Sequence, residues 1–273
     1  MSSYKSEMAF AREMAADAGD IMKKYFRSKD INTEWKADHT PLTIADQKIN
    51  DLLIERVEKH YPDHGVIGEE SSYMEERDMV WVVDPIDGTA PYSLGIPTST
   101  FCLALVDRSD GQPVIAVVYD PFLDHLYTAI SGQGAYLNDS RIKTSDTKDF
   151  HHSYLAVNAF AKKVEDGKVL IRPGRLMERI RHEHSGKFLT FQSHVYTAMK
   201  VASGELVGSI LAFGSPWDAA AASLIVQEAG GKATDLNGKK RRYDEFANGT
   251  VVAANSTILN ILIDEISKSR EEN

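Results

Sequence analysis

Cysteine is nearly absent from this sequence. Cys102 stands alone among 273 residues, so no internal disulfide can form. It lies in the apolar run Phe101–Val106 and reads as a small buried hydrophobe rather than a catalytic thiol. Long hydrophobic runs are missing as well. The longest apolar stretches, such as Val114–Tyr119, fall far short of the roughly 20 residues a membrane helix needs. A membrane is therefore not an expected partner. The opening MSSYKSEMAF holds no continuous apolar segment, so no signal peptide is read there and a cytoplasmic protein is expected. Positive charge is not in excess either. The 31 basic and 40 acidic residues leave a net charge of -9, a balance unfavourable to general affinity for nucleic acid or anionic membrane. An anionic substrate is not excluded, because bound cations reverse the sign of a local site. With no internal repeat and no low-complexity linker, residues 1–273 read as a single unit with a substantial core. Its subregions are 1–145 and 146–273.

Hydrophobic spacing supplies the elements. Met8, Ala11, Ala15, Ala18, Met22 and Phe26 recur at helical intervals. A second helix is expected from Thr43 to His60, with Ala45, Ile49, Leu52, Leu53 and Val57 on one face and Thr40-Pro41 and Tyr61-Pro62 at its ends. Strands are expected at Val66-Ile67, Met79–Val83, Thr100–Val106, Val114–Tyr119 and Leu126–Ile130, with Asp110-Gly111 as a turn. The first half thus reads as two helices and a mostly antiparallel sheet. The second half alternates: strands at Tyr154–Val157, Val207–Ala212 and Thr250–Ala253, and helices at Tyr196–Ala202, Trp217–Ala229 and Ile258–Ile266. Residues 161–189 resist assignment. Their Arg172, Arg175, Arg179, Arg181 and Lys187 read as a solvated basic face before they read as the lining of an anion pocket.

The informative feature is a set of acids at element ends. Glu69 and Glu70 follow the Val66-Ile67 strand. Asp84 and Asp87 follow Met79–Val83 in Asp84-Pro85-Ile86-Asp87-Gly88-Thr89. Trp217-Asp218 opens an alanine-rich helix, and Asp46 lies in the first turn of the second helix. Loops at the ends of rigid elements are where sites are built. Four or five acids converging on one spot would repel strongly unless metal ions neutralised them, and hard divalent cations take oxygen ligands. Two metals can clamp an in-line displacement at phosphorus. Pro85 would hold the motif's turn rigid, so that Asp84, the Ile86 carbonyl and Asp87 face one point. Gly88 would let the backbone approach a ligand, Thr89 would bring a hydroxyl, and amides beginning the next element would hold phosphate oxygens. Each acid also has an ordinary reading. Asp46 follows Thr43 at capping-box spacing, Asp218 suits a helix start, and Asp84-Pro85 and Asp87-Gly88 are common turn dipeptides. Glu69-Glu70 could be a solvated pair. The combination is much less common than any part of it.

In order and spacing, Gly68-Glu69-Glu70-Ser71, the run Trp81–Thr89, Trp217-Asp218 with Glu228-Ala229-Gly230-Gly231, and Thr43-Ile44-Ala45-Asp46 resemble the signatures of the inositol monophosphatase superfamily. The resemblance runs from about the first helix to the last. It implies an α/β (α+β) fold, a layered α-β-α-β-α sandwich of the inositol monophosphatase and fructose-1,6-bisphosphatase type, usually a homodimer. It implies a phosphoric monoester hydrolase with two or three Mg²⁺ ions per site and lithium inhibition. Metal ligands would be Glu69, Asp84, the Ile86 carbonyl, Asp87 and Asp218, with Asp46 close by. Thr89 would orient and deprotonate the attacking water with Glu69 or Asp46. Gly88, Thr89, Ser193, His194 and Asp218 are the expected substrate contacts.

Departures from the family pattern concern the substrate side. Ala90-Pro91-Tyr92 replaces the common Thr-Asn-Phe, and Pro91 removes a backbone donor near the phosphate. Leu211 occupies the place, seven residues before Asp218, where the inositol enzymes usually carry a glutamate. Gln192-Ser193-His194 replaces Gly-Thr-Ala or Gly-Ser-Ala. For His194, a packed, hydrogen-bonded histidine is as good a reading as a substrate contact. The stretches Lys36–Asp46 and Tyr61–Glu70 are similar to the histidinol-phosphate phosphatase branch. The expected substrate is a small alcohol phosphate: inositol monophosphate or a related sugar phosphate, with histidinol phosphate, a 3′(2′)-nucleotide or fructose 1,6-bisphosphate as alternatives. A binding protein for RNA or transcription partners on a phosphatase scaffold is the alternative of a different class, and the acidic balance counts against it.

Overall fold

Apolar residues at helical spacing put one face of each amino-terminal helix against a sheet. In a computed structural model, residues 4–29, 31, 33–36, 41–158, 162–163, 169–212 and 214–270 are described. Helix α1 (Lys5–Tyr25) buries Ala11, Ala15, Ala18 and Met22. A two-stranded antiparallel hairpin, β1 (Glu34–Trp35) with β2 (Pro41–Leu42), leads to α2 (Ile44–His60). Helix α2 buries Ala45, Ile49, Leu53 and Val57 as its spacing requires, and Leu52 is partly buried beside them.

Seven strands follow around one short helix: β3 (His64–Gly68), β4 (Met79–Asp87), α3 (Thr89–Ser93), β5 (Thr100–Asp107), β6 (Gln112–Asp120), β7 (His125–Ile130), β8 (Ala135–Leu137) and β9 (Ser140–Arg141). They form one sheet in chain order. Strands β3 and β4 are parallel and every later pair is antiparallel, as expected.

The second half contributes β10 (Tyr154–Asn158), β11 (Lys162–Lys163), β12 (Val169–Ile171), α4 (Pro173–His184), β13 (Lys187–Leu189), α5 (His194–Ala202), β14 (Gly208–Leu211), α6 (Ala220–Glu228), β15 (Lys232–Thr234), β16 (Thr250–Ala253) and α7 (Ser256–Arg270). A five-stranded sheet has the order β13-β10-β14-β16-β15. Helix α5 starts two residues earlier than Tyr196. Helix α6 starts at Ala220, so Trp217-Asp218 lies in the turn before it and does not open it. The unassigned stretch contains α4, whose Leu176 and Ile180 are buried. Its basic residues are partly engaged: Arg179 is ion-paired with Glu265 at 2.7 Å and Arg181 lies over the Phe188 ring. Ala161, and Ala37–Thr40 of the histidinol-phosphatase-like stretch, lie outside the described residues.

Alternation along the strands sorts the core into three apolar layers. Trp81, Val83, Leu103, Leu105, Ile115 and Val117 face α1 and α2. The opposite face of the same sheet, with Val80, Val82, Ala104, Ala116 and Val118, meets α5, α6 and one face of the second sheet through Ala156 and Val252. The far face of the second sheet, with Leu155, Val157, Ile210 and Val251, packs on α4 and α7. The order of layers is therefore helices, sheet, helices, sheet, helices, as expected. Each large apolar side chain fully buried in these layers contributes about 1.5–3 kcal/mol.

Candidate active site

Strand β4 does not end at Val83. It continues through Asp84-Pro85-Ile86-Asp87, which the sequence reads as a turn. Asp84 pairs with Cys102 and Asp87 with Thr100, and the register shifts between them. Three residues on β4 thus span two on β5, the count of a β-bulge. On a regular strand, positions 84 and 87 would point to opposite faces. The extra residue returns both aspartates to the face shared by Cys102 and Thr100. Pro85, which has no N–H to give the ladder, sits inside the irregularity, where proline is tolerated.

Asp218 arrives from the other half of the chain. The Ala219 and Ala220 amides donate to the Pro216 carbonyl at 3.1 and 2.9 Å, shaping the turn ahead of α6. The loop is held from behind. Ala247 N–H donates to the Gly214 carbonyl at 2.8 Å. The Arg241 guanidinium, 4% exposed, donates to Thr250 Oγ1 at 2.6 Å, Gly214 O at 3.3 Å, Arg242 O at 3.0 Å and Glu245 O at 3.5 Å. Carboxylate oxygens of Asp84, Asp87 and Asp218 consequently lie within 4.8 Å of one another. Asp84 and Asp87 are buried and Asp218 is partly exposed.

Around this trio the remaining expected residues divide into roles. Asp87 accepts from the start of α5: its Oδ1 from His194 N–H at 2.8 Å, and its Oδ2 from the Val195 and Tyr196 amides at 3.0 and 3.1 Å. The Ser193 hydroxyl also donates to Oδ2, as does Thr100 Oγ1 at 3.3 Å. An anion at the positive end of a helix dipole is well placed. Ser193, expected as a substrate contact, thus spends its hydroxyl on Asp87. Asp46 uses Oδ2 for the capping box, accepting from Thr43 N–H at 2.8 Å and Thr43 Oγ1 at 2.6 Å. Its Oδ1 faces the Thr89 hydroxyl at 3.4 Å, and the same hydroxyl donates to the Ile86 carbonyl at 3.0 Å. Gly88 caps α3 at φ 84°, and a Cβ there would stand 2.8 Å from Ser193 Cβ, so only glycine fits.

Lys36 reaches Glu69 and Glu70 at 2.7 Å each. Burial opposes its charge, but the two glutamates hold the ammonium above its ordinary range. Burial, followed by the charges of Glu69, Asp87, Asp218 and Asp46, drives the Asp84 carboxyl far up. Burial also lifts Asp46 to about 7. Burial, with the charges of Glu69 and Asp87, lifts Asp218 to about 8. No lysine or arginine among the described residues is ion-paired with Asp84, Asp87 or Asp218. An all-oxygen donor set of mutually repelling acids, Asp84 and Asp87 buried among them, is the chemistry that a hard divalent cation satisfies, and these residues fit one. The spacing of signatures gave no sign of Thr100 or Arg241. A hydroxyl on the paired strand and a buried cation behind a loop become visible only once the sheets are assembled.

A model described as the inositol monophosphatase family matches residues 4–271. The protein named Nus factor SuhB of Pasteurella multocida (strain Pm70) is 31% identical over 255 residues, 92% of each chain. Inositol monophosphatase 1 of Solanum lycopersicum is 30% identical over 247 residues, 87% of each. The crystal structure of extragenic suppressor protein suhB from Bartonella henselae has the same fold, with a TM-score of 0.84 at 26% identity over 97% of this chain and 99% of that one.

Proposed function

The chain belongs to the inositol monophosphatase family, and from that membership we propose that it is a Mg²⁺-dependent phosphomonoesterase acting on a small alcohol phosphate. The observation that carries the reading is the approach of Asp84, Asp87 and Asp218 oxygens to within 4.8 Å, from strands and loops far apart in sequence. Glu69, Asp84, the Ile86 carbonyl, Asp87 and Asp218 would hold two or three ions. When bound, the ions supply charge for the phosphoryl oxygens and acidity for a coordinated water.

The chain's own groups do the rest. Thr89 and Asp46 form a hydroxyl–carboxylate pair, and with cations in the cluster Asp46 would be ionised and placed to accept a proton through that hydroxyl. The Gly88 and Thr89 amides, at the start of α3, would hold phosphate oxygens. The α5 amides hold Asp87 in one orientation, so the acid does not reorganise as charge develops. A homodimer of single-unit subunits is part of the proposal.

Phosphate release from inositol, histidinol, nucleotide and sugar phosphates, with and without Mg²⁺ and Li⁺, tests it. Expected is Mg²⁺-dependent release from at least one ester, inhibited by Li⁺. No release from any ester, from folded protein carrying Mg²⁺, overturns it. A second reading, a partner-binding role on the same scaffold, has one observation in its favour: several bacterial relatives carry the name Nus factor. A gel shift with RNA at physiological salt separates the two. No helix among the described residues is long and apolar enough to cross a membrane.

A further inference from the structure

Beside the acid cluster stands an aromatic pair with no part in the chemistry above. Trp217 immediately precedes Asp218, and the Phe246 ring meets it edge-on, centroids 5.4 Å apart and planes at 85°. Phe246 is 71% exposed, so its ring is offered to solvent on a loop that does not stand free. Its neighbour Ala247 is bonded to Gly214, and the carbonyl of Glu245 accepts from the buried Arg241. A Cβ on Gly214 would coincide with the Ala247 carbonyl, so the loop bearing Phe246 and the loop bearing Asp218 are in direct backbone contact. A third apolar group comes up the adjacent strand. Leu211, buried at the end of β14, is registered with Asn158, and the Asn158 amide donates to Thr197 of α5. Leu211 therefore lies on the sheet face turned toward α5, whose first amides hold Asp87.

A polyol needs hydrogen-bond partners around its ring. Leu211, Trp217 and Phe246 offer almost none through their side chains, apart from one indole N–H. What Trp217 and Phe246 offer is area and π-faces, which favour a planar ring. We propose that Trp217 and Phe246 form a recognition platform for a heteroaromatic ring carried on the alcohol portion of the substrate, an imidazole or a nucleobase, which makes Phe246 a specificity-determining residue. This rests on the phosphomonoesterase reading and narrows it from alcohol phosphates in general to ring-bearing ones.

The test compares histidinol phosphate and adenosine 2′-monophosphate, the two ring sources, with the ringless glycerol 2-phosphate. Wild-type protein is expected to prefer at least one ring-bearing ester. Phe246→Ala is expected to raise the KM of that ester about tenfold, the scale of an aromatic contact, with kcat little changed. Glycerol 2-phosphate kinetics should stay level, and Phe246→Trp should restore the low KM. Equal losses on ring-bearing and ringless esters would make Phe246 a mere prop for its loop and overturn the inference, as would no change on either. A second readout does not depend on turnover. In saturation-transfer NMR, the ring protons of L-histidinol or adenosine should receive saturation from wild-type protein and lose most of it with Phe246→Ala. Retention of that signal in the variant overturns the platform even if every ester is hydrolysed. Loss of the signal in the variant, in a protein that releases no phosphate from any ester, keeps the platform and removes only the phosphatase reading.

Discussion

At the scale of single residues, Asp46 shows why an ordinary and a functional reading of one acid need not compete. The capping box occupies Oδ2 and leaves Oδ1 toward Thr89. Sequence alone shows the spacing to Thr43 but cannot apportion two oxygens. Replacing Thr43 with Ala removes a cap and a donor to Asp46. Urea unfolding is expected to show a loss of about 1 kcal/mol, and the Asp46 carboxyl should rise further, since the Thr43 bonds favour its charged form. Asp87→Asn keeps the shape and removes the charge that five donors now hold. Turnover should fall by more than the roughly 10–100-fold typical of losing an outer partner of a metal ligand, while circular dichroism stays that of the wild type. Activity within a few-fold of wild type would remove Asp87 from the ligand set. Asp46 and Asp218 also set a pH dependence. Their folded values, about 7 and about 8, lie above the usual 3.8, so the folded chain holds protons that the unfolded chain has lost. Their contribution to metal-free stability is full below about pH 4 and is lost as pH rises through 7 and 8. Because a divalent cation takes the place of those protons, the rise in Tm on adding Mg²⁺ is expected to be larger at pH 8 than at pH 6. Scanning calorimetry at the two pH values reads this directly.

At the scale of elements, the regular strands and α2 were legible because period and punctuation agreed. Leu53 and Val57 face the sheet, and Tyr61-Pro62 ends the helix. Two elements were misread for physical reasons. Asp84-Pro85-Ile86-Asp87 carries turn dipeptides, yet pairing with β5 keeps it in the sheet as a bulge, and pairing across 13–18 residues is invisible to local propensity. The alanines after Asp218 carry no start signal of their own, so the expected helix boundary lies three residues early. Helix α4 was missed because its buried stripe is only Leu176 and Ile180. Arg241 illustrates support that only assembly reveals. Arg241→Lys cannot reproduce a planar fork reaching four acceptors. Leaving buried acceptors unpaired costs about 1–3 kcal/mol, so the variant is expected to unfold at lower urea and to lose activity as the Asp218 loop slackens. Unchanged stability and kinetics would show that the clamp is ornamental.

At the scale of the whole molecule, the layering supports the proposal that residues 1–273 form one unit although two sheets are present. Helices α5 and α6 contribute to a single apolar layer shared by both sheets, so neither 1–145 nor 146–273 can bury its inner face alone. Calorimetric unfolding is expected to be one cooperative transition, with calorimetric and van't Hoff enthalpies equal. Two separable transitions would divide the chain. The order of layers was legible through the family resemblance, whereas the identity of the shared layer came from strand alternation across both sheets. That shared layer gives the Asp87 latch a wider meaning. The acid belongs to the first sheet, and the Ser193–Tyr196 segment that grips it, 106 to 109 residues further on, begins a helix wedged between the sheets. Slippage of one sheet over the other would therefore be felt at the acid cluster. For the proposed metal site, ion affinity becomes a gauge of how well the two halves are seated.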